Sequence, residues 1–334
     1  MKNVTVGDWR AIGLTGLLRR AESALIPLHV SPDGDSVGSA LAAARACRHL
    51  GTRAVVVSSD PPPETYRFLA GWEDIRRPEE IEPGFDLLLL LDCSSLSRTG
   101  RVRDILDDRG LPLTVTIDHH RKGERVGDFV WADPGAAATA EMIFDWMSAE
   151  GLPIDDEVAA ALYTGITTDT GFFAHSNTTA GTFDRAAALV RRGVRPDFIY
   201  RKINEDRPLR EILILGRALE KLQTAGGGRV AWTVLTGEDM RQRGAGPDDT
   251  EGIINRLRSI AGTEIAILLV QTDARQVRVS FRSRERVDVS ELAGEFGGGG
   301  HARAAGAKVS GEIEEVAARV VAAALDRLPP AEGD

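Results

Sequence analysis

The segment Ala24-Leu-Ile-Pro-Leu-His29-Val-Ser-Pro-Asp33-Gly-Asp35-Ser-Val-Gly38-Ser39 passes from an apolar run through a polar turn into a helical pattern. It predicts a strand over Ala24–Val30 and a helix from Val37 to Leu50. Similar apolar runs recur along the first half of the chain and predict strands over Arg53–Ser58, Asp86–Leu91 and Leu113–Ile117. Short apolar strands separated by helices favour an α/β fold with a doubly wound, mainly parallel sheet.

The pattern changes after the glycine run Gly226-Gly227-Gly228. Beyond it, the chain predicts a smaller α+β domain of about 100 residues, a typical size for a separate domain. We therefore predict a first domain over residues 1–205, a helical connector over 206–228 and a second domain over 229–330. The elements expected there are a helix over Leu209–Gln223, strands over Arg229–Leu235, Glu264–Thr272 and Gln276–Arg284, and helices over Thr250–Ile260 and Glu312–Leu328.

Composition limits the class of protein. A net charge of −9 and an aromatic content of 5% argue against a protein that coats a long nucleic acid, which needs a basic stripe and stacking side chains. The two cysteines, Cys47 and Cys93, suit a reducing compartment. Neither a signal peptide nor an apolar run of about 18 residues is visible. These features predict a cytoplasmic protein that does not enter a membrane.

Acidic and histidine side chains follow three predicted strands at their carboxyl ends, and one more acid follows a helix. They are His29, Asp33 and Asp35 after the first strand, Asp92 after Leu87–Leu91, Asp118, His119 and His120 after Leu113–Ile117, and Asp169 after the helical stretch Glu157–Thr164. In doubly wound sheets, ligands bind beyond the carboxyl ends of the strands. We therefore expect these side chains to share one site.

Four of these aspartates, Asp33, Asp35, Asp92 and Asp169, would repel one another at close range, and burial would raise their pKa values further. Two divalent cations would balance the four negative charges. Carboxylate oxygen together with imidazole nitrogen suits a Mn²⁺-type ion better than calcium or a thiolate zinc site. The alternative is structural: Asp33 or Asp35 caps the helix, and Pro-Asp-Gly forms an ordinary turn.

The four segments resemble the four motifs of the DHH phosphoesterase superfamily, which is named for the triplet that stands here at Asp118–His120. The run Gly297-Gly-Gly-Gly300-His301-Ala-Arg303-Ala-Ala-Gly306 resembles the signature of the companion DHHA1 domain. Within the superfamily, the length and short connector are most like the bifunctional oligoribonuclease and phosphoadenosine-phosphate phosphatase group, the nano-RNases.

The resemblance implies a set of metal ligands. One metal would be held by His29, Asp33 and Asp92, and the second by Asp35, Asp92, His119 and Asp169, so that Asp92 bridges the pair. It also implies that His120 faces the scissile phosphate and that Asp118 orients the two histidines. A metal pair of this kind can hold a bridging hydroxide that attacks phosphorus in line. We therefore expect a Mn²⁺-dependent hydrolase of phosphate esters.

Substrate contacts are expected mainly in the second domain. Period-two alternation along Gln276–Arg284 places Val277, Val279 and Phe281 on one face and Arg278, Arg282 and Arg284 on the other, although a solvated strand face would look the same. Consecutive glycines over Gly297–Gly300 allow backbone N–H groups to converge on an anion in a nest. The resemblance points to Arg282, Gly299, Gly300 and His301 as phosphate or nucleotide contacts. Arg303 suits a bidentate phosphate contact, and His175, Asn177 and Thr178 follow Asp169 closely enough to touch a substrate.

The expected substrates are very short RNA fragments and small nucleotides such as 3′-phosphoadenosine 5′-phosphate, rather than a long nucleic acid duplex. Two alternatives stay open at this point. The same chemistry would serve a phosphodiesterase of cyclic or linear dinucleotides, such as c-di-AMP or pApA. The same scaffold would serve a non-catalytic nucleotide-binding regulatory protein. The oligomeric state is also open, with a homodimer as one alternative.

Overall fold

The structure is a computed structural model that describes residues 4–82, 84–93, 95–109, 111–120, 126–250 and 252–330, while the side chains of residues 107–109 and 301 lie outside the description. The chain divides into two compact units, Met1–Asp206 and Arg207–Asp334. Each unit is built on its own β-sheet and has its own hydrophobic core.

A parallel six-stranded sheet forms the centre of the first unit. Its strands are β1 (Thr5–Val6), β2 (Ser23–Pro27), β3 (Arg53–Val57), β4 (Leu87–Leu91), β5 (Leu113–Asp118) and β6 (Phe129–Ala132). They lie in the order β1-β6-β5-β4-β2-β3, and each neighbouring pair is parallel. The strands predicted from the sequence are β2 to β5, and the predicted parallel α/β fold is confirmed.

Strand β4 consists of five leucines because both faces of the sheet are covered. Leu87 to Leu91 are each at most 1% exposed. Leu87, Leu89 and Leu91 belong to one hydrophobic cluster, and Leu88 and Leu90 belong to another. Successive side chains of a strand point to opposite faces, so a strand between two cores is apolar at every position.

Helices cover this sheet and position the loops at its carboxyl edge. They are α1 (Leu14–Arg20), α2 (Gly34–His49), α3 (Arg101–Arg109), α4 (Thr139–Ala149), α5 (Asp156–Asp169), α6 (Ala180–Val190) and α7 (Pro196–Asn204). Helix α2 lies directly on α5, since a Cβ atom at Gly38 would overlap the carbonyl oxygen of Ala161. Helix α5 continues to Asp169, so the prediction that Asp169 lies beyond a helix ending at Thr164 is wrong by more than one turn.

The second unit contains a mixed six-stranded sheet in the order β11-β12-β10-β9-β8-β7. Its strands are β7 (Gln223–Ala225), β8 (Val230–Leu235), β9 (Ile265–Asp273), β10 (Gln276–Ser283), β11 (Gly299–His301) and β12 (Ala304–Ser310). Only β8 and β9 pair in parallel among these described strands. Val277, Val279 and Phe281 are buried on one face of β10, as the alternating pattern predicts.

Five helices described in the second unit cover both faces of its sheet. They are α8 (Leu209–Glu220), α9 (Gly237–Gln242), α10 (Ile253–Arg258), α11 (Val289–Gly294) and α12 (Ile313–Asp326). Helix α8 and strand β7 come from residues 206–228, which the sequence analysis treats as a connector. Ile214 and Ala218 of α8 are buried in a cluster with β9, so this stretch packs as part of the second unit.

Short 3₁₀ helices occupy Glu64–Tyr66, Trp72–Asp74, Pro78–Glu80, Leu96–Thr99 and Pro247–Thr250. Within the described ranges, every helix is too short or too polar to cross a membrane. The cytoplasmic location stays a prediction from the sequence.

Candidate metal centre

The loop between β2 and α2 supplies a histidine and an aspartate that lie side by side. His29 is 3% exposed, and its Nδ1 donates to the carbonyl oxygen of Val30 at 2.9 Å, which leaves Nε2 to face the site. Asp33 caps α2, because its Oδ1 accepts the backbone N–H of Ser36 at 3.0 Å. The capping interpretation is therefore correct for Asp33. The same oxygen nevertheless lies 3.7 Å from Nε2 of His29.

Asp35 lies in the first turn of α2 and is fully buried. Three donors hold its carboxylate: the backbone N–H of Thr139 at 2.6 Å, that of Ala140 at 2.9 Å and the hydroxyl of Ser39 at 3.0 Å. Thr139 and Ala140 begin α4, whose own N-cap, Ala138, has no capping side chain. Asp35 therefore accepts N–H groups that the start of α4 leaves unsatisfied, and two helices fix its position.

Asp92 directly follows β4 and lies between two histidines. Its Oδ2 is 3.6 Å from Nε2 of His29, and its Oδ1 is 3.4 Å from Nε2 of His119. The hydroxyl of Thr139 donates to Oδ1 at 3.3 Å. The backbone φ of Asp92 is 52°, a left-handed conformation that is uncommon outside glycine. Such strain persists where the surrounding structure fixes a residue, often at a functional site.

The triplet that ends β5 supplies two histidines, which are oriented by different acceptors. Nδ1 of His119 donates to the carbonyl oxygen of Ala136 at 3.3 Å, so that its Nε2 faces Asp92. Nδ1 of His120 donates to Oδ1 of Asp118 at 2.7 Å, and the backbone N–H of His120 donates to the same oxygen at 3.2 Å. The expectation that Asp118 orients both histidines is therefore wrong for His119.

Potential ligand atoms form three groups of three, of which two have no residue in common. One group is His29, Asp33 and Asp92, and the other is Asp35, His119 and Asp169, with the atoms of each group within 4.8 Å of one another. Asp169, at the end of α5, lies 3.4 Å from Nε2 of His119 through its Oδ2. Asp92 also forms a group with His119 and His120, and so connects the two clusters. The structure therefore brings together all six side chains that the sequence analysis names as ligands.

The histidines and aspartates of this site shift one another's pKa values. Burial disfavours an imidazolium, yet the neighbouring carboxylates outweigh it and raise the pKa of His29 and of His119 to about 10 each. Burial would raise the pKa of Asp92, but His119 and His29 hold it below its usual range. For Asp169, burial prevails over His119 and raises the pKa to about 7. Burial and the charges of Asp92 and Asp169 raise the pKa of Asp35 well above its ordinary value. Burial therefore makes the negative charge of Asp35 and Asp169 unfavourable unless cations lie beside it.

The donor set fits divalent cations. Nε2 of His29 is buried and has no hydrogen-bond partner in the described part of the chain. The nearest carboxylate oxygens, at 3.6 and 3.7 Å, lie beyond hydrogen-bond range, as expected for groups joined by an ion rather than by a proton. Imidazole nitrogens mixed with carboxylate oxygens suit first-row divalent ions. Cys93 does not join them, because its Sγ donates to the carbonyl oxygen of Ser95.

The segment 136–140 was not predicted from the sequence to take part in the site, but it holds three of the candidate ligands in position. Ala136 orients His119, and Thr139 contacts both Asp35 and Asp92. Asn177 ties this segment to α5, since its Nδ2 donates to the carbonyl oxygens of Ala137 at 3.0 Å and Asp169 at 3.2 Å. Most of these contacts are made by backbone atoms, so they cannot be predicted from the residue types in the sequence.

Comparison with known proteins places the chain in a family. The model of the DHH family, N-terminal domain, matches residues 23–166, and the DHHA1 domain matches residues 227–328. The bifunctional oligoribonuclease and PAP phosphatase NrnA of Thermus thermophilus is 32% identical, over 91% of this chain and 89% of the relative. The chain belongs to the DHH family of phosphoesterases.

Two further proteins are similar to this chain along most of their length. The bifunctional oligoribonuclease and PAP phosphatase NrnA of Bacillus subtilis is 25% identical, over 86% of this chain and 90% of the relative. The crystal structure of an exopolyphosphatase-related protein from Bacteroides fragilis superposes with a TM-score of 0.88 at 27% identity, over 94% of each chain. The likeness therefore extends over both units of this DHH protein.

Three residues after Asp169 were expected to touch a substrate of the DHH domain. His175 is exposed, and its Nδ1 lies 3.3 Å from the carbonyl oxygen of Asp169. Asn177 has the positioning role given above, and its Oδ1 is buried without a partner in the described part of the chain, as is Oγ1 of Thr178. His175 is thus the member of this set whose side chain is open to solvent.

The arginines predicted on one face of the segment Gln276–Arg284, in the DHHA1 domain, divide into two kinds. Arg278 donates to the carbonyl oxygen of Pro247 and the hydroxyl of Thr250, and Arg284 donates to the carbonyl oxygens of Arg258 and Ile260. Arg282 bonds only the adjacent carbonyl oxygen of Phe281, at 3.0 Å, among the residues that the structure describes. Burial, followed by the charge of Arg258, lowers the pKa of Arg282. A half-buried cation without an acidic partner is suited to bind an anion.

The glycine run of the DHHA1 domain does not form the predicted nest. The backbone N–H groups of Gly297 and Gly298 donate to the carbonyl oxygens of Gly294 and Ala293 at the end of α11. Gly299 and Gly300 belong to the edge strand β11, and a Cβ at Gly300 would clash with Ala305. The side chain of His301 lies outside the described residues. Arg303 is exposed and donates to the carbonyl oxygen of Val287 at 3.1 Å.

Proposed function

We propose that this chain is a Mn²⁺-dependent phosphoesterase that hydrolyses very short oligoribonucleotides and 3′-phosphoadenosine 5′-phosphate. In this proposal His29, Asp33 and Asp92 hold one ion, and Asp35, Asp92, His119 and Asp169 hold the second. The observation that carries it is the pair of ligand groups joined through Asp92, each with one imidazole and at least two carboxylates within 4.8 Å.

Two bound divalent ions would supply an activated water and neutralise charge on the phosphoryl oxygens. The protein's own contribution is the orientation of the groups around them. His29 and His119 each direct Nδ1 to a backbone carbonyl, which fixes the tautomer that presents Nε2. Asp35 and Asp92 are held by donors from α4, so their oxygens need little reorganisation.

His120 is the proposed proton donor to the leaving oxygen. Its Nδ1–H is bonded to Asp118, and this leaves Nε2 as the ring nitrogen available to a substrate. The carboxylate of Asp118 stabilises the protonated ring and holds its orientation. His120 is 31% exposed at its side chain, whereas His29 is 4% exposed, which agrees with a residue that meets a substrate rather than an enclosed ion.

The substrate class is supported by the NrnA relatives, which are oligoribonucleases and PAP phosphatases by name. The half-buried Arg282 of the DHHA1 domain is the proposed contact for a terminal phosphate, together with Gly299, Gly300 and His301. Arg303 and the exposed His175 are the further proposed contacts. A net charge of −9 favours small substrates, because a long backbone would be repelled away from these cations.

A turnover panel tests the proposal. The full chain, loaded with Mn²⁺, is offered RNA of two to five nucleotides, 3′-phosphoadenosine 5′-phosphate, pApA and c-di-AMP, with Asp92→Ala as the inactive control. We expect turnover of the short RNAs and the bisphosphate, and its loss in the variant. Preferential turnover of c-di-AMP would instead assign a cyclic-dinucleotide phosphodiesterase. Binding without turnover of any member would assign a regulatory protein.

A further inference from the structure

A cavity lies in the first unit, between the carboxyl-terminal half of α2, strand β3 and the segment 70–76. Its volume is about 280 Å³, near the lower end of the range for small-ligand sites. Leu41, Ala54 and Val56 form an apolar floor and are each at most 6% exposed. Three arginines, Arg45, Arg48 and Arg76, stand around this floor.

The arginines differ in how far the protein neutralises them. Arg45 forms an ion pair with Glu157, which also lines the cavity. Arg48 uses one N–H on the carbonyl oxygen of Ala54 at 3.3 Å. The guanidinium of Arg76 has no hydrogen bond or ion pair to any residue that the structure describes. Asp74 is the remaining acid that lines the cavity, and it forms no ion pair with these arginines in the described part of the chain.

The backbone nevertheless holds Arg76 firmly beside β3. Its N–H donates to the carbonyl oxygen of Val56, and its own carbonyl oxygen accepts the N–H of Ser58, both at 2.9 Å. The guanidinium is therefore carried by an ordered segment and not by a free loop. Guanidinium groups bind phosphate through paired, charge-assisted hydrogen bonds, and Arg48 and Arg76 keep most of their donors for this purpose.

The cavity is separate from the metal centre. Gly34 begins α2 beside the candidate ligands, and Arg48 lies 14 residues further along the same helix. At about 1.5 Å per residue, Arg48 is roughly 20 Å from Gly34, and Leu41 in the cavity floor is roughly 10 Å from it. The residues that line the cavity and the candidate metal ligands have no member in common.

We propose that this cavity is a second binding site, which takes a nucleoside monophosphate. Its phosphate is bound by Arg48 and Arg76, and its flat, partly apolar base lies on Leu41, Ala54 and Val56. The site stands independently of the proposed hydrolase, because none of these residues belongs to the metal centre. Arg48 lies in the last turn of α2, where an arginine also interacts favourably with the helix dipole. The test therefore includes Arg76, which does not lie on a helix.

Calorimetric titration of the full chain with AMP tests the site. A chelator keeps the metal centre empty, and every protein carries Arg282→Ala so that the DHHA1 domain does not compete. On this background Arg76→Ala and Arg48→Ala are each expected to weaken AMP binding at least tenfold. Arg19→Ala removes an exposed arginine of α1 and is the matched control, with no expected change. No turnover is measured, so the result does not depend on the proposed function.

The outcomes separate clearly. Binding that is lost in both cavity variants and kept in the control supports the site. Absence of AMP binding to the parent protein, or binding equally tight in all variants, overturns it. Inorganic phosphate and adenosine are titrated in parallel, and either one binding as tightly as AMP would overturn the assignment to a nucleotide. The Arg76 guanidinium has no hydrogen bond or ion pair to lose among the described residues, so Arg76→Ala should change the melting temperature little and report binding.

Discussion

At the scale of single residues, the candidate centre depends on how each ionisable group is oriented. His29 and His119 direct Nδ1 to backbone carbonyls, whereas His120 directs Nδ1 to a carboxylate. The same residue type therefore has two environments within one site. In the proposed function, the first two imidazoles would bind cations and the third would exchange a proton.

Asp118→Asn tests the proposed role of His120. The amide has nearly the same shape but carries no charge, so it no longer stabilises the protonated ring. We expect kcat on a short RNA to fall about 100- to 10,000-fold, the range of general acid–base catalysis. Metal stoichiometry should not change, because Asp118 is outside both ligand groups. Lost metal together with lost activity would show that Asp118 supports the centre instead.

The residue types of the centre could be predicted from the sequence, but their supporting contacts could not. Asp92 and Asp118 were identified because each ends an apolar run that predicts a buried strand. The carbonyl of Ala136 and the N–H of Ala140 are backbone groups, so the residue types at these positions do not reveal their contacts. Ser39 illustrates the same limit, since nothing in the sequence predicts that its hydroxyl donates to the carboxylate of Asp35, four residues earlier.

At the scale of elements, α4 connects the sheet to the candidate ligands. Its first turn donates two backbone N–H groups to Asp35 and one hydroxyl to Asp92. Loss of a group that orients a metal ligand typically lowers metal affinity about 10- to 100-fold. The start of this helix is therefore expected to influence metal binding although it supplies no ligand.

Thr139→Val tests this link. The substitution keeps the side-chain volume and the backbone N–H, and it removes only the hydroxyl bonded to Asp92. We expect Mn²⁺ affinity, measured by calorimetry on the full chain, to fall about 10-fold or more. Thr139→Ser restores the hydroxyl and should recover most of the affinity. An equal loss in both variants would indicate a packing defect rather than a lost hydrogen bond.

Helix α2 must also approach α5 closely enough to place Asp35 beside Asp169. Gly38→Ala would push a methyl group into the carbonyl oxygen of Ala161, and backbone cannot move aside as a side chain can. We expect a loss of about 1–3 kcal/mol in the free energy of unfolding, measured by urea denaturation. Gly216→Ala is the control, because it lies in α8 with open space around it and should gain about 0.5–1 kcal/mol.

Long apolar elements could be predicted well, whereas short or irregular ones could not. Strand β4 needs five leucines because it is buried on both faces, and that run is visible in the sequence. Strands β1 and β7 contain two and three residues, too few to show a period. The run Gly297–Gly300 was predicted to bind an anion through its backbone, but the close approach of β12 explains Gly298 and Gly300, and a φ of 72° after the end of α11 explains Gly297.

At the scale of the whole molecule, the chain length predicted two domains, and the structure contains two units with separate cores. The boundary was harder to predict, because α8 has an amphipathic pattern that suits a free connector as well as a packed helix. Its Ile214 and Ala218 are buried in the second unit. Only the tertiary contacts decide which core the helix joins.

The second unit has an ionic cluster that should make its stability depend on pH. Asp239 is buried, and although burial opposes its charge, hydrogen bonds from Lys221, Thr236 and Arg217 hold its pKa below the ordinary value. A group with a lowered folded-state pKa stabilises the fold above its unfolded pKa of about 4, and this contribution is lost as the pH falls further.

Asp239→Asn should therefore lower the free energy of unfolding by about 1–3 kcal/mol at pH 7. Below about pH 4, the free energies of unfolding of the variant and the unchanged chain should become more alike. Urea denaturation followed by the fluorescence of Trp232, the single tryptophan of this unit, would measure it once the other four are replaced by phenylalanine. Glu238→Gln, at an exposed ion pair with Arg241, is the control and should have little effect. A difference that stays constant with pH would rule out the charge of Asp239 as the cause.

The count of Mn²⁺ ions bound per chain tests the central proposal most directly. The chain is stripped with a chelator, dialysed and titrated with Mn²⁺, while free ion is followed by electron paramagnetic resonance. Two ions per chain are predicted, with Asp92→Ala weakening both because its carboxylate connects the two ligand groups. A chain that binds no Mn²⁺, or that binds two ions equally well without Asp92, would contradict the proposed centre.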